Sequence, residues 1–349
     1  MPKKKIEVVE YLDEADEENL DEEENLDEED DEENLDEEKV EEEILDEEDD
    51  EENLDEEEVE ENLDEEVEEN EGDEAVNKDY EEIDSWLMNE LGSSVTVFVI
   101  GDPHFRSKYV KEGEDLINKS IEMAKNICPD LIVILGDVLD TMEVSRLVPF
   151  KQAERFIKEL SNVAKTYVLM GNHDLMNKSQ FLTGNHFFGP FKKWKNVFIV
   201  DKPMYVNVKD IDLVLCPYVP TGRFIEALNT LLDEEKVWQN ATCIFAHQEF
   251  KGSVVQEKGD KWSSKYPPVI SGHIHDACQI GDNIYYPGSP LQVDFNENPD
   301  KKVWVVSFDK DGMHIDKRDL GLKLRKEVDI TYADVESFDF KILDRKSVV

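Results

Sequence analysis

The chain has 349 residues and a formal net charge of −49, with 38 basic and 87 acidic residues. Residues 1–80 hold 46 of the acidic residues and 5 lysines, whereas residues 81–349 hold 41 acidic and 33 basic residues. The second part therefore has the ordinary charge of a globular protein and is long enough for one large domain or two small ones. This composition excludes collagen, coiled-coil and small disulfide-scaffold proteins.

The acidic N-terminal part carries an internal repeat. The hexapeptide ENLDEE occurs five times between Glu18 and Glu66, and the spacing of its leucines does not build an apolar helical stripe. Because so little can be buried against so much like charge, we predict that residues 1–81 form a disordered low-complexity tail. Two interpretations stay open: a solvated tail without a partner, and a polyanion that mimics nucleic acid, binds a basic protein or shields the functional site.

The sequence predicts an intracellular protein without a membrane span. Its longest apolar runs, residues 95–100 and 131–135, are far shorter than the roughly 18–20 residues that cross a bilayer. The basic residues 3–5 are followed by acids rather than by an apolar run, so we expect no signal peptide and no secretion. The four cysteines form no CxxC pair, which is typical of reduced thiols in a reducing compartment. We expect the cytoplasm, with the nucleus as the alternative.

From about residue 82 the sequence becomes globular. Apolar, β-branched runs predict buried strands, and the first three end in Gly101, Gly136 and Gly171. Segments with helical spacing lie between them, so the order β-α-β-α-β predicts a layered α/β fold, followed by a half that is richer in strands. The predicted strands are residues 95–100, 131–135, 166–170, 197–200, 211–215, 242–246, 268–270, 283–286 and 303–308, and the predicted helices are residues 116–126 and 151–164.

Five of these predicted strands are followed by residues of the types that bind metals in proteins. The carboxyl ends of strands in an open α/β sheet meet in one crevice, so we expect these side chains to converge. Imidazoles with oxygen donors and without thiolates suit a pair of Mn, Fe or Zn ions better than Ca²⁺. A glycine before most of these groups lets the backbone turn and approach the metals. The residues are Asp102 and His104, Asp137 and Asp140, Asn172 to Asp174, His247, and His273 with His275.

The series GDPH, GDVLD, GNHD, a single histidine after a strand, and GHIH resembles the calcineurin-like metallophosphoesterase superfamily over about residues 95–310. The resemblance implies an α/β fold of two β-sheets packed as a sandwich and flanked by helices. It also implies two divalent metal ions as cofactors, with Mn²⁺ favoured and Zn or Fe as alternatives. We therefore predict a catalytic domain over residues 82–325 and a short C-terminal extension over residues 326–349.

The superfamily motifs imply seven metal ligands and a catalytic pair in this sequence. His173 would stabilise the transition state or protonate the leaving alkoxide, and Asp174 would orient it. A hydroxide held between the two metals would attack the phosphoryl group in line. The implied ligands are Asp102, His104 and His275 for the first metal, Asn172, His247 and His273 for the second, and Asp137 as the bridge between them.

Two further segments indicate a branch of the superfamily. Residues 287–290 (PGSP) followed by Phe295-Asn296-Glu297, together with residues 216–218 (CPY), resemble segments of SbcD-type DNA repair nucleases. PGSP is also typical of a simple turn. About 40 residues follow the last predicted strand, fewer than the capping domain of such nucleases needs. The sequence therefore also resembles the minimal phosphoesterases of large DNA viruses and phages.

We accordingly predict a two-metal phosphoester hydrolase, most simply a phosphodiesterase with nuclease-like relatives and nucleic acid as a candidate substrate. One alternative is a phosphomonoesterase that acts on protein or small-molecule substrates. Thr141 and Met142 follow GDVLD where protein phosphatases usually have Arg-Gly, which argues against that branch. A second alternative is a non-catalytic scaffold that works through its acidic tail, although the intact motifs argue against it.

Overall fold

The computed structural model describes residues 4–10, 94–231, 237–253 and 258–330, and the side chains of residues 94–231, 237–253 and 258–324. All of these residues belong to one compact unit, Met1–Asp13 with Asp84–Val349. Apart from a strand at residues 4–10, the predicted tail lies outside the described residues. The proposed domain boundaries therefore stay predictions.

The described chain contains fourteen strands, three α-helices and three short 3-10 helices. The strands are β1 (Lys4–Glu10), β2 (Val95–Ile100), β3 (Leu131–Ile134), β4 (Lys165–Leu169), β5 (Val197–Val200), β6 (Met204–Val208), β7 (Ile211–Cys216), β8 (Cys243–His247), β9 (Val269–Gly272), β10 (Cys278–Ile280), β11 (Ile284–Tyr286), β12 (Val303–Asp309), β13 (Gly312–Arg318) and β14 (Leu324–Ile330). The α-helices are α1 (Val110–Ile127), α2 (Leu147–Ser161) and α3 (Phe224–Leu228), and the 3-10 helices are Ser107–Tyr109, Gly189–Lys193 and Trp238–Asn240.

Twelve of the strands form two six-stranded mixed sheets. The first has the order β13-β12-β2-β3-β4-β5, in which β2 to β5 run parallel. The second has the order β10-β11-β9-β8-β7-β6, in which β11, β9, β8 and β7 run parallel. In both sheets the parallel strands therefore point their carboxyl ends to one edge, where loops can bring polar side chains together.

The alternation of side chains along the central strands builds a layered core. Along β2, Val95, Val97 and Val99 belong to an apolar cluster shared by both sheets, whereas Phe98 and Ile100 pack with residues of α1 and α2. Successive side chains of a strand point to opposite faces, so one strand supplies both layers. Full burial of such side chains stabilises the fold by roughly 1.5–3 kcal/mol each. The predicted two-sheet α/β fold is confirmed.

The two long helices begin before their predicted starts. The helix α1 begins at Val110 rather than at residue 116, and it ends before Cys128, a left-handed residue (φ 51°) whose N–H donates to the Ala124 carbonyl. Pro129 follows, which cannot continue the helix. The helix α2 begins at Leu147 rather than at residue 151, with Pro149 in its first turn, where proline is tolerated.

The strands β1 and β14 form a separate antiparallel pair, with Lys4 opposite Ile330 and Glu10 opposite Leu324. The sequence predicted neither strand. The strand β14 also crosses the predicted boundary between the catalytic domain and the C-terminal extension, because it begins at Leu324. Among the described residues, no helix is long and apolar enough to cross a membrane. Cys216 and Cys243 are buried, Cys128 and Cys278 are exposed, and all four are free.

Candidate metal centre

Loops that follow the parallel strands of both sheets bring the predicted site residues together. In each of two groups, Asp102 with His104 and His275, and Asp137 with His247 and His273, the ligand-type atoms all lie within 4.8 Å of one another. The first sheet supplies the residues after β2 and β3, and the second supplies those at β8 and after β9. Each group therefore contains residues from both sheets. We call the group with Asp102 the first cluster and the group with Asp137 the second cluster.

The first cluster consists of Asp102, His104 and His275. The Nε2 atoms of His104 and His275 lie 3.0 Å apart, and His275 Nε2 lies 4.0 Å from Asp102 Oδ2. Asp102 is fully buried, and its Oδ1 atom has no hydrogen-bond partner among the described residues. A buried carboxylate oxygen without a partner is costly. Two imidazole nitrogens turned toward each other beside the Asp102 carboxylate are the donor set that a divalent cation satisfies.

The second cluster consists of Asp137, His247 and His273, and the Asn172 amide joins it. Asn172 Oδ1 lies 2.7 Å from His273 Nδ1 and 3.2 Å from His247 Nε2. Asp137 Oδ2 lies 3.3 Å from the same His247 nitrogen. All four side chains present nitrogen or oxygen atoms and no thiolate, which fits a transition-metal dication.

Asp137 lies between the two clusters. Its Oδ2 atom is 3.3 Å from His247 Nε2 in the second cluster and 3.8 Å from His104 Nε2 in the first. Its Oδ1 atom accepts a hydrogen bond of 2.7 Å from the His173 main-chain N–H. Asp137 is thus placed where a carboxylate could bridge two cations, as the sequence predicts; the individual ligand roles stay predictions.

The histidines of the two clusters have different partners on their second ring nitrogen. His247 Nδ1 donates to the Leu135 carbonyl at 2.8 Å, whereas His275 Nδ1 donates to Glu297 Oε1 at 2.7 Å. Such bonds fix the tautomer and leave Nε2 free to bind a metal. Glu297 also accepts from Lys301 Nζ at 2.9 Å, and the Lys301 side chain is only 5% exposed.

The backbone at several candidate ligands is in the left-handed region. The φ angles of His104, Asp137 and His273 are 48°, 46° and 81°, and each such non-glycine residue costs roughly 1–3 kcal/mol. Neighbouring glycines make room for the carboxylates, because a Cβ on Gly171 would collide with Asp137 Oδ1 and one on Gly272 would collide with Asp102 Oδ1. The fold therefore holds these loops in a strained and crowded conformation, which is typical of functional sites.

Burial and the neighbouring charges shift the pKa values at the centre in opposite directions. Burial, together with the charge of His247, lowers the pKa of His273 to about 4, so its ring is neutral at neutral pH. Burial opposes protonation of His247, but the carboxylates of Asp137 and Asp102 raise its pKa to about 9. A metal must displace this proton to bind His247, so binding at the second cluster should strengthen as the pH rises.

His173 lies beside the clusters without joining either. Its Nδ1 donates to the Asp140 carbonyl at 2.6 Å, and its ring centroid lies 5.1 Å from that of His104, edge to face. The structure gives His173 Nε2 no hydrogen bond within the described residues. The catalytic role of His173 stays a prediction.

Asp174 does not make the contact expected of it. The sequence predicts that Asp174 orients His173, but the described His173 ring bonds to the Asp140 carbonyl instead. The buried carboxylate of Asp174 accepts from the main-chain N–H groups of Leu139 and Gly171 at 3.0 Å and of Val138 at 3.3 Å. A side chain bonded in this way ties the GDVLD loop to the GNHD loop. Its role in orienting His173 stays a prediction.

Three residues near the clusters lie outside the seven implied ligands and the implied catalytic pair. Asp140 Oδ1 lies 3.3 Å from His104 Nδ1. The centroid of the Tyr218 ring lies 6.1 Å from that of the His273 ring, with an angle of 29° between the ring planes. Glu297 bonds to His275, as described above. Asp140 is the last residue of GDVLD, and Tyr218 and Glu297 lie in the two segments that resemble SbcD-type nucleases, so a signal for all three was present in the sequence.

Comparison with known proteins identifies the family. Residues 95–306 match the family model for calcineurin-like phosphoesterases. The chain belongs to this family. The predictions of the superfamily and of a hydrolase that acts on phosphoester bonds are thereby confirmed. The calcineurin-like fold family generally carries a dinuclear divalent metal site, and the donor atoms of both clusters fit such ions.

Three curated relatives agree with the predicted branches. The chain is 39% identical over 216 residues to the candidate phosphoesterase 244L of Invertebrate iridescent virus 6, covering 61% of this chain and 76% of that protein. It is 38% identical over 266 residues to the candidate phosphoesterase 078R of Invertebrate iridescent virus 3, covering 74% and 76%. It is also 24% identical over 225 residues to the SbcD component of the nuclease SbcCD of Staphylococcus saprophyticus, covering 55% and 58%.

Proposed function

We propose that this calcineurin-like phosphoesterase is a two-metal phosphodiesterase that acts on nucleic acid. The observation that carries the proposal is the pair of ligand clusters with Asp137 between them. Asp102, His104 and His275 would hold one divalent ion, Asn172, His247 and His273 the other, and Asp137 both. Bound ions of this kind neutralise phosphoryl charge and lower the pKa of a water molecule. Mn²⁺ is favoured, with Zn or Fe as alternatives.

The protein's own groups would orient the ester and move one proton. A water molecule would add to phosphorus and release one proton to solvent, and the bond from phosphorus to the leaving oxygen would break. That oxygen would take a proton from His173 Nε2, which would then be replaced by a proton from solvent. The Nδ1–H bond to the Asp140 carbonyl holds the ring in place throughout. A positioned general acid of this kind contributes about 10²–10⁴-fold to the rate.

The charges beside the clusters favour a diester over a monoester. Among the described residues, two cationic side chains contact residues of the centre, and the terminal nitrogens of both are already engaged. Arg106 donates to the Val293 carbonyl and lies 3.8 Å from Asp140 Oδ1, and the nearly buried Lys301 is paired with Glu297 and with Asp276. A phosphate monoester carries more negative charge than a diester and needs more free cations. The similarity to the SbcCD nuclease component also favours a diester.

We expect the enzyme to work in a reducing intracellular compartment, the cytoplasm or the nucleus. The free cysteines Cys216 and Cys243 fit this environment. Binding of a basic protein by the acidic tail stays a separate prediction.

The test is Mn²⁺-dependent hydrolysis by the full chain of bis-p-nitrophenyl phosphate and of p-nitrophenyl phosphate. We expect a higher kcat/KM for the diester, and no turnover of either compound by Asp137→Asn. Lys165→Gln serves as a control, because Lys165 is exposed at the amino end of β4, opposite the carboxyl ends that carry the site. A preference for the monoester would replace the proposal with a phosphomonoesterase. If Asp137→Asn still hydrolyses both compounds, these clusters do not take part in the reaction.

A further inference from the structure

A cavity of about 290 Å³ lies next to the metal centre. We call it the Arg106–Arg146 pocket, and its walls come from the loop after β2, the loop after β3 and the first turn of α2. Its volume lies just below the range for small-ligand sites, roughly 300–1,000 Å³. The lining residues that bear polar or charged side chains include Arg106, Lys108, Asp140, Thr141, Ser145 and Arg146.

The charge of this pocket is opposite to that of the domain around it. Three of its side chains are cationic and one, Asp140, is anionic, whereas residues 81–349 hold 41 acidic and 33 basic residues. Cations gathered in a concave site of an acidic protein raise the local concentration of anions. The pocket therefore suits an anionic group.

Polar groups without partners line the same pocket. Arg106 Nε and Ser145 Oγ are buried, and neither has a hydrogen bond among the described residues. Two polar groups of the pocket thus lack a hydrogen-bond partner, and a phosphate oxygen would supply one.

Asp140 connects the pocket to the metal centre. Its carboxylate lies 3.8 Å from the Arg106 guanidinium on one side and 3.3 Å from His104 Nδ1 on the other. Its carbonyl accepts the hydrogen bond from His173, the proposed proton donor to the leaving oxygen. The Asp140 side chain therefore lies between the cationic pocket and the first cluster, and its main-chain carbonyl holds His173 on the same side.

We propose that the Arg106–Arg146 pocket binds the phosphate next to the scissile one in a nucleic-acid strand. The inference rests on the proposed function, because it names the substrate of that same site. Consecutive phosphates of a strand are joined by one sugar, so a strand whose reacting phosphate lies at the clusters carries its next phosphate into an adjoining site. The pocket thus distinguishes a polynucleotide from an isolated phosphodiester.

The test compares substrates with and without a neighbouring phosphate. The full chain with Mn²⁺ is assayed on bis-p-nitrophenyl phosphate, on the dinucleotide TpT and on the trinucleotide TpTpT. We expect the wild type to prefer TpTpT to TpT. We expect Arg146→Gln to lose this preference by about tenfold, which is the size of one charge-assisted hydrogen bond to an anion. Arg146→Lys keeps the charge and should restore part of the preference.

A binding measurement without metal gives a second readout. Anisotropy of a labelled oligothymidylate is titrated with the full chain in EDTA at several salt concentrations. Each phosphate contact to a single strand contributes about −0.7 to the slope of log K against log salt. Arg146→Gln should make the slope less steep by about this amount, whereas Lys165→Gln removes the same charge at the opposite edge and should leave it unchanged.

The outcomes separate this inference from the proposed function. If the wild type cleaves bis-p-nitrophenyl phosphate but Arg146→Gln keeps both the TpTpT preference and the salt slope, the pocket assignment is wrong and the phosphodiesterase stands. If the wild type cleaves no diester but Arg146→Gln still changes the slope, the pocket stands and the proposed function is wrong. Arg146 is exposed and makes no described side-chain hydrogen bond or ion pair, so thermal unfolding of the variant should match the wild type.

Discussion

The two clusters of the candidate metal centre occupy the same edge of the molecule but are supported in different ways. In the second cluster, His247 is fully buried at the end of β8 and bonds to a main-chain carbonyl, that of Leu135. In the first cluster, the His275 side chain is 29% exposed and bonds to the side chain of Glu297. The orientation of one histidine is therefore set by the sheet, and that of the other by a loop.

This difference determines how each cluster can be altered. A main-chain carbonyl cannot be removed by substitution, and it moves only if the first sheet moves. A carboxylate can be neutralised while the fold stays intact, and the nearly buried Lys301 shows that the loop itself holds Glu297 in place. We therefore expect substitutions around the centre to fall into three groups, which affect both clusters, neither cluster or the first cluster alone.

Asp137→Asn should affect both clusters and have the largest effect. The amide loses the negative charge that lies between His104 and His247, so both cations lose a ligand at once. Loss of a hydrogen-bond partner of a metal ligand costs up to roughly 100-fold in activity. We expect turnover to fall by more than this, because a metal ligand itself is changed. Isothermal titration with Mn²⁺ should show weaker binding at both sites. Two undisturbed sites in this titration would contradict the bridging position of Asp137.

His173→Ala should leave both clusters intact and still remove most of the activity. The main-chain N–H of residue 173 bonds to Asp137, and alanine retains that bond. Only the ring is lost, and we expect turnover to fall by about 10²–10⁴-fold.

The leaving group provides the control for this variant. p-Nitrophenoxide leaves without help from an acid, so His173→Ala should be impaired less on bis-p-nitrophenyl phosphate than on TpT. Equal losses on both substrates would rule out His173 as the proton donor, and weaker Mn²⁺ binding would show that the ring supports the metals instead.

The strands that were not predicted from the sequence lie mainly at sheet edges. The central strands were predicted closely because their residues are apolar on both faces, as in residues 95–100 and 131–135. The strands β6, β10 and β13 are edge strands. In β13, GMHIDKR, exposed and half-buried residues alternate and none is buried, so no apolar run marks it. Edge strands bury less surface, and their sequence pattern is correspondingly weak.

The candidate ligands could be read from motifs because each follows a strand within a few residues. The partners of those ligands could not, because they depend on how distant loops pack. Glu297 is 22 residues from His275 in the chain, and only the folded loop brings them together. Asp174 was expected to orient its neighbour His173. It turns to the GDVLD loop instead, because the packing of the two loops presents the main-chain N–H groups of Val138 and Leu139 to its carboxylate.

Glu297→Gln should weaken the first cluster and spare the second. Neighbouring donors hold the pKa of Glu297 at about 2 against the effect of burial, so the carboxylate is charged at every pH of interest. The variant removes that charge from His275 Nδ1–H and makes its Nε2 a poorer metal ligand. We expect about 10–100-fold weaker Mn²⁺ binding at one of two sites, the usual effect of losing a group that hydrogen-bonds to a metal ligand.

Asp294→Asn is the matched control, because Asp294 is exposed in the same loop and the substitution removes the same charge. It should leave both Mn²⁺ affinities unchanged, as should Lys165→Gln at the opposite edge. If Glu297→Gln weakens both sites equally, the loop supports the whole centre, and the two clusters do not differ as the contacts of His247 and His275 indicate. If it weakens neither, the orientation of His275 is set by the sheet as well, and the Glu297 bond only stabilises the loop.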